Sequence, residues 1–115
     1  VEDNDLTRKL FCAVLRAKGY EVLGCADGNS VIASAHQFRP DLAIMDIQLP
    51  HVSGLDLIAQ MKADPKLAGV PVLAVTAYAG KGDEDRIRAA GAEDYLAKPV
   101  SIGPFSAKVL ALIGE

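Results

Sequence analysis

Four places in the chain carry side chains able to do chemistry together: the acid pair Glu2 and Asp3, then Asp46, Thr76 and Lys98. The last three each close a short apolar run, at 42–45, 70–75 and 94–97. If those runs are parallel strands, their carboxyl ends share one edge, which is where open α/β sheets place ligands. Three carboxylates gathered there repel one another and lose hydration, so the group calls for a compensating cation. All-oxygen ligands select a hard divalent ion, and a shallow site that keeps several waters suits Mg²⁺ better than Ca²⁺. A carboxylate beside that ion, a hydroxyl and an ammonium can act as a nucleophile toward a phosphoryl group, with the cations neutralising the transferred oxygens.

Taken singly, each residue has an ordinary role. An acidic pair ahead of a helix complements the helix dipole, Asp46 and Thr76 suit turns, and Lys98 before Pro99 suits the surface. Taken together, four separate elements each deliver a needed group to one edge.

The elements that position them follow from periodicity. Leu6, Leu10, Ala13, Val14 and Ala17 recur at helical spacing opposite Asp5, Arg8, Lys9, Cys12 and Arg16, with Asn4 or Asp5 as cap and Gly19 as stop. Residues 21–26 read as a strand. Ser30 or Asn29 caps a second helix with Val31, Ile32, Ala35 and Phe38 inward, stopped by Pro40. The Asp46 strand follows, bounded by Pro40 and Pro50, then a loop over 50–54 and a helix facing inward through Leu55, Ile58 and Met61. Residues 70–76 form a continuous apolar strand in which Pro71 is tolerated at the start. Residues 81–90 form a highly charged helix closed by Gly91, and 94–97 a last strand. Ser101 caps a final helix with Ile102, Phe105, Val109, Leu112 and Ile113 inward. Strands alternating with helices predict βαβ units and a parallel sheet covered on both faces. Five helices stand against four complete strands, so the strand that should precede the first helix is largely absent, Val1 being at most its last residue. The start at Val1 rather than Met suggests a segment removed or left out.

At 115 residues the chain is a single domain, 1–115. Its formal net charge of −3 argues against nucleic-acid binding. Its apolar runs fall short of the ~20 residues of a membrane span, so a cytoplasmic protein without membrane attachment is expected. Cys12 and Cys25 lack the spacing of a zinc site or redox pair. His36 falls on the polar face of its helix as a solvated side chain, and His51 lies near Asp46 without partners for acid/base work.

The combination of residues 1–4, the 40–46 run ending in Asp46, Leu49-Pro50 with Gly54-Leu55, Val75-Thr76-Ala77 and Lys98-Pro99 resembles the receiver domains of two-component response regulators, over the whole chain. The resemblance implies an α/β fold of (βα)₅ type, a doubly wound CheY-like sheet ordered 2-1-3-4-5. It implies phosphorylation of Asp46 by a histidine kinase or phosphotransfer protein, with Mg²⁺ as cofactor. Asp3 would bind the ion directly and Glu2 often through water, with Asp46 and the backbone carbonyl of Gln48 as further ligands. Thr76 and Lys98 would contact phosphoryl oxygens, Thr76 and Tyr95 would form the hydroxyl-aromatic switch, and the Lys98-Pro99 bond would be cis. A downstream protein would read the change on the face of the fourth helix, fifth strand and fifth helix. Segments 45–50, 74–77, 81–84 and 86–88 narrow the resemblance to single-domain cell-cycle regulators. Gln48 and Tyr78 flank the site and would tune water access.

A Mg²⁺-dependent phosphatase with an aspartyl nucleophile is the rival from the enzyme class. It usually needs a second Asp just after the nucleophile, where this chain has Gln48. A nucleotide-binding module is disfavoured by the lack of a glycine-rich phosphate loop. Without the first strand, Asp3 is expected to be poorly fixed relative to Asp46, and Mg²⁺ binding to suffer.

Overall fold

The computed structural model describes residues 1–49, 52–77 and 81–113. Five α-helices are described: α1 (Asp5–Ala17), α2 (Val31–Phe38), α3 (Gly54–Ala63), α4 (Lys81–Ala90) and α5 (Ile102–Ile113). Among the described residues three strands form the sheet, β1 (Ala43–Asp46), β2 (Val72–Thr76) and β3 (Asp94–Ala97), all parallel in the order β1-β2-β3. The register pairs Asp46 with Val75 and Thr76 with Ala97, so the strand ends fall level. β2 is buried along its full length, as a central parallel strand covered on both faces should be. This is an α/β, flavodoxin-like fold, as expected.

The strand expected at 21–26 is not formed. Its backbone takes one bond from a neighbouring backbone, from the Glu2 N–H to the Cys25 carbonyl (2.9 Å), and one from the Arg16 guanidinium to the Val22 carbonyl (3.0 Å). Val1 and Glu2 lie between this segment and β1: the Val1 nitrogen donates to the Ile44 carbonyl, and the Asp46 N–H donates to the Val1 carbonyl (3.0 Å). The order is therefore residues 20–25, Val1 with Glu2, then β1, β2 and β3, which matches 2-1-3-4-5 with the second place barely occupied. Next to Val1 lies a cavity of about 280 Å³ lined by Phe11, Leu15, Tyr20, Val22, Leu42 and Ile44 among others. Among the described residues only Glu2 gives 21–25 a backbone hydrogen bond from a neighbouring segment, and backbone paired at one point does not make a strand.

Several helix faces differ from the periodic reading. In α1 the core takes Leu15, with Phe11 and Val14 partly buried, whereas Leu6 is 80% exposed and Leu10, Ala13 and Ala17 face solvent. Two apolar stripes compete on this helix, and the stacking of Phe11 on Phe105 of α5 at 4.7 Å decides between them. Cys12, assigned to the polar face, is partly buried. Leu57 joins Ile58 and Met61 in the buried face of α3, and Ile102 of α5 is exposed. Asn4 caps α1 by accepting from the Thr7 N–H, and Asp27, rather than Ser30, caps the short 3₁₀ turn (Gly28–Ser30) ahead of α2. His36 is not a solvated residue: its Nε2 lies 2.7 Å from the Asp64 carboxylate and ties α2 to the end of α3.

The start of α3 sits directly against the exit of β1. Ser53 caps the Leu55 N–H, and the Gly54 N–H donates to the Ile47 carbonyl (3.1 Å). A Cβ on Gly54 would lie 2.2 Å from the Asp46 carbonyl oxygen and 2.7 Å from the Ile47 Cα. Backbone cannot rotate aside as a side chain can. Gly54→Ala is expected to destabilise the fold by roughly 1–3 kcal/mol or more, seen as a lower denaturant midpoint with an unchanged slope; an unaltered midpoint would refute the packing argument.

Candidate functional site

The carboxyl edge of the sheet gathers the residues singled out from sequence. Glu2 and Asp46 are buried, 3% and 2% exposed, and Asp3 is exposed beside them. The Glu2, Asp3 and Asp46 carboxylates each offer an oxygen lying within 4.8 Å of the other two. Asp3 is thus brought to Asp46. The backbone bonds of Val1 and Glu2 to β1 and Cys25 fix the register of the segment that carries it. Arg8 adds to them, its Nη1 donating to the Glu2 carbonyl (2.9 Å). Sequence reasoning placed Arg8 on a solvated face and missed this anchoring role.

Lys98 reaches into the acidic group from the loop after β3, where the Lys98-Pro99 bond is cis. Its Nζ donates to Asp46 Oδ2 (3.2 Å) and lies 2.9 Å from Glu2 Oε1. Burial works against the ammonium charge, but the contacts with Glu2 and Asp46 outweigh it, and the Lys98 pKa is raised. A raised base favours the folded state below the ordinary lysine value of 10.5 and loses that contribution only as pH rises through the raised value. Lys98 is therefore charged at neutral pH.

The other Asp46 oxygen, Oδ1, accepts from the Gln48 N–H (3.0 Å). The Gln48 side chain then crosses to β2, its Nε2 donating to Thr76 Oγ1 (3.2 Å) and its Oε1 accepting from the Ala77 N–H (2.9 Å). This bridge was not visible from sequence, where Gln48 was read for its carbonyl and as a flanking residue. Thr76 is buried at the end of β2. Tyr95 is half-buried on β3, with the Arg88 guanidinium 5.7 Å above its ring, a cation-π contact that joins β3 to α4. His51 and Tyr78, and the turn at Pro50, lie outside the described residues.

The donor set fits a hard divalent ion. It is all oxygen and carries an excess of negative charge over Lys98, and Glu2 Oε1 is buried without a hydrogen bond despite its ion contact. A general acid/base carboxyl two residues after Asp46 is lacking, Gln48 standing there with its amide engaged. The site is thus an acidic, all-oxygen cluster with one lysine at the carboxyl edge of an α/β sheet, without the second carboxyl that an aspartyl phosphatase uses.

The chain belongs to the response regulator receiver domain family, whose model matches residues 1–110. It is a signalling domain of two-component systems, a class that binds Mg²⁺ in its acidic pocket and works with histidine kinases or phosphotransfer proteins and downstream targets. It is 46% identical to the polar-differentiation response regulator DivK of Brucella anthropi, over all of this chain and 94% of that protein. The DivK of Brucella ovis is 45% identical over the same shares. Among solved structures, the receiver domain of a Pseudomonas aeruginosa sensor histidine kinase, with a magnesium ion coordinated in its active site cleft, is similar. The TM-score is 0.90 at 36% identity, over 100% of this chain and 94% of that one. The chemotaxis protein CheY4 of Vibrio cholerae shares the fold, with a TM-score of 0.91 at 24% identity, over 96% of this chain and 92% of that one. No helix among the described residues is long and apolar enough to cross a membrane.

Replacing Lys98 by Met keeps the stem and removes the charge, leaving Glu2 and Asp46 buried against each other. Lys98→Met is expected to lower stability by roughly 1–3 kcal/mol without divalent ions, and Mg²⁺ should restore part of the loss. Urea midpoints of both proteins with and without MgCl₂ check this; equal midpoints without the ion would show that Lys98 does not offset the buried carboxylates.

Proposed function

We propose that Asp46 is the phosphoacceptor of a regulator that switches protein–protein interactions, and that the chain catalyses its own phosphorylation and dephosphorylation. The observation that carries the reading is the convergence of Asp46, Lys98 and Thr76 at one sheet edge, with Lys98 Nζ 3.2 Å from Asp46 Oδ2. An Asp46 oxygen attacks the phosphorus of a phosphohistidine on the donor protein. The new P–O bond makes an acyl phosphate as the P–N bond breaks, and the imidazole leaves with a proton. Lys98 and the Thr76 hydroxyl hold the transferred oxygens. Glu2, Asp3, Asp46 and the Gln48 carbonyl would hold Mg²⁺, which would supply further charge neutralisation.

The donor, a sensor kinase or phosphotransfer protein, must approach Asp46 along the open edge. The first turns of α1 and α5 flank that approach and present Leu6 and Ile102, both exposed. Output passes through the α4, β3 and α5 face. Among the described residues of α4 only Ile87 is deeply buried, so this helix is held by few apolar contacts and is suited to move. Attraction of Thr76 to the phosphoryl group vacates space toward which Tyr95 rotates, breaking its contact with Arg88 and altering the face. Similarity to the DivK proteins supports a cytoplasmic role in cell-division control.

With Mg²⁺ and a small phosphodonor, the intact protein is expected to gain one phosphoryl group as an acid-stable, base-labile adduct that Asp46→Asn does not form. Rapid turnover of many phosphoesters would instead favour a phosphatase. Tyr95→Ala should accept the phosphoryl group normally and lose phosphorylation-dependent partner binding; a variant that still binds only when phosphorylated would refute the switch.

A further inference from the structure

The side chain of Gln48 connects the two strand ends that any group added to Asp46 must lie between. Its backbone N–H is held by Asp46 Oδ1 (3.0 Å), so the residue is fixed at its base by the acceptor itself. Its amide nitrogen is held by Thr76 Oγ1 (3.2 Å) and its amide oxygen by the Ala77 N–H (2.9 Å). Both functional groups of the amide are thus engaged by consecutive residues at the end of β2, although Gln48 itself is exposed. A long exposed side chain held at both polar atoms has given up rotamer freedom that solvent would otherwise leave it. Its carbonyl oxygen is a neutral acceptor lying where an N–H at the mouth of the site points.

We infer that Gln48 is a latch specific to the unmodified state: its amide oxygen stands in for a phosphoryl oxygen on the Ala77 N–H, and phosphorylation of Asp46 displaces it. The inference rests on the acceptor role of Asp46 and adds a step that this role does not require. A phosphoryl oxygen is charged, and charge-assisted hydrogen bonds are roughly twice as strong as neutral ones. The new group therefore wins the Ala77 N–H from the amide. Release of Gln48 also removes a donor from Thr76, so the end of β2 loses its side-chain tie to the loop after β1 at the moment of modification, while the backbone bond from Ile47 to Val75 stays. Gln48 is a positioning residue here. It resists the modified state by about the worth of the bonds that must be broken.

Two measurements test the latch, with beryllofluoride and Mg²⁺ as the mimic of the phosphoryl group. In the unmodified protein, Gln48→Ala should speed hydrogen exchange of the Ala77 amide while amides in the interior of β2 keep their protection. Gln48→Ala should also bind beryllofluoride roughly 3- to 10-fold more tightly than wild type, the worth of about one neutral hydrogen bond. Gln48→Glu keeps an acceptor for the Ala77 N–H, cannot donate to Thr76 and adds a negative charge beside the phosphoryl mimic, so it should bind the mimic more weakly than wild type. Weaker binding by Gln48→Ala would make Gln48 a ligand of the phosphoryl group and overturn the latch, as would unchanged exchange at Ala77. A wild-type protein that binds no beryllofluoride while Asp46 is intact would overturn the acceptor reading itself.

Discussion

Two buried carboxylates share a single ammonium, and the rest of the structure answers to that imbalance. Glu2 and Asp46 are both almost fully removed from water, and Lys98 lies within 3.2 Å of an oxygen of each. Burying an ionised group without compensation is among the most costly things a fold can do. One lysine cannot compensate two acids, still less the third that Asp3 brings to the rim. Such an edge persists because the apolar strands behind it are strongly favoured to bury. Met45, Val72, Leu73 and Ala74 are completely inaccessible, and Phe105, Ile58 and Met61 close over them. The hydrophobic layer and the charged edge are built from the same strands, so the strain of one is carried by the stability of the other.

The supports of the edge are unequal, and the inequality is useful. On the β1 side the fit is tight: Gly54 leaves no room for a methyl group against the Asp46 backbone. Between α3 and β3, Lys62 joins the Val70 carbonyl to the Glu93 carboxylate. At the far side α4 is held by Ile87 and by Arg88, which pairs with Asp94 (3.7 Å), donates to the Glu93 carbonyl (3.3 Å) and lies over the Tyr95 ring. Exposed ion pairs of that kind add little to stability. A perturbation that began at Asp46 would therefore be resisted on the β1 side and more easily accommodated at α4.

Much of this was readable from sequence, and the failures have physical causes. The bounds of α4 and β3 match the reading because Gly91 and Pro99 punctuate them. The four chemical positions were legible because few residue types can do their work at a strand end. The face of α1 was misread because spacing identifies a stripe without saying which of two will be buried, and the partner that chooses, Phe105, lies far along the chain. The strand at 21–26 was misread because β structure belongs to a pair of segments, and the apolar content of one says nothing of how many backbone bonds the other will make with it. Arg8 and the Gln48 side chain were overlooked for a related reason. Their partners, a backbone carbonyl and a backbone N–H, are present at every position, so no residue type marks them out.

In the resting site each oxygen of Asp46 already has a donor: Oδ1 holds the Gln48 N–H and Oδ2 holds Lys98 Nζ. Those donors are in turn tied to other elements, Lys98 to Glu2 and Gln48 to the end of β2. A group added to either oxygen brings several new acceptor atoms into a place where the donors are already committed. Whatever share of that charge a cation or solvent takes up, Lys98 and Gln48 can serve the new oxygens only by loosening their present contacts, and each of those contacts reaches another element. A modification at Asp46 would therefore be felt at Glu2 and at the end of β2 without any further relay, because the donors nearest the acceptor are the same groups that tie those elements together.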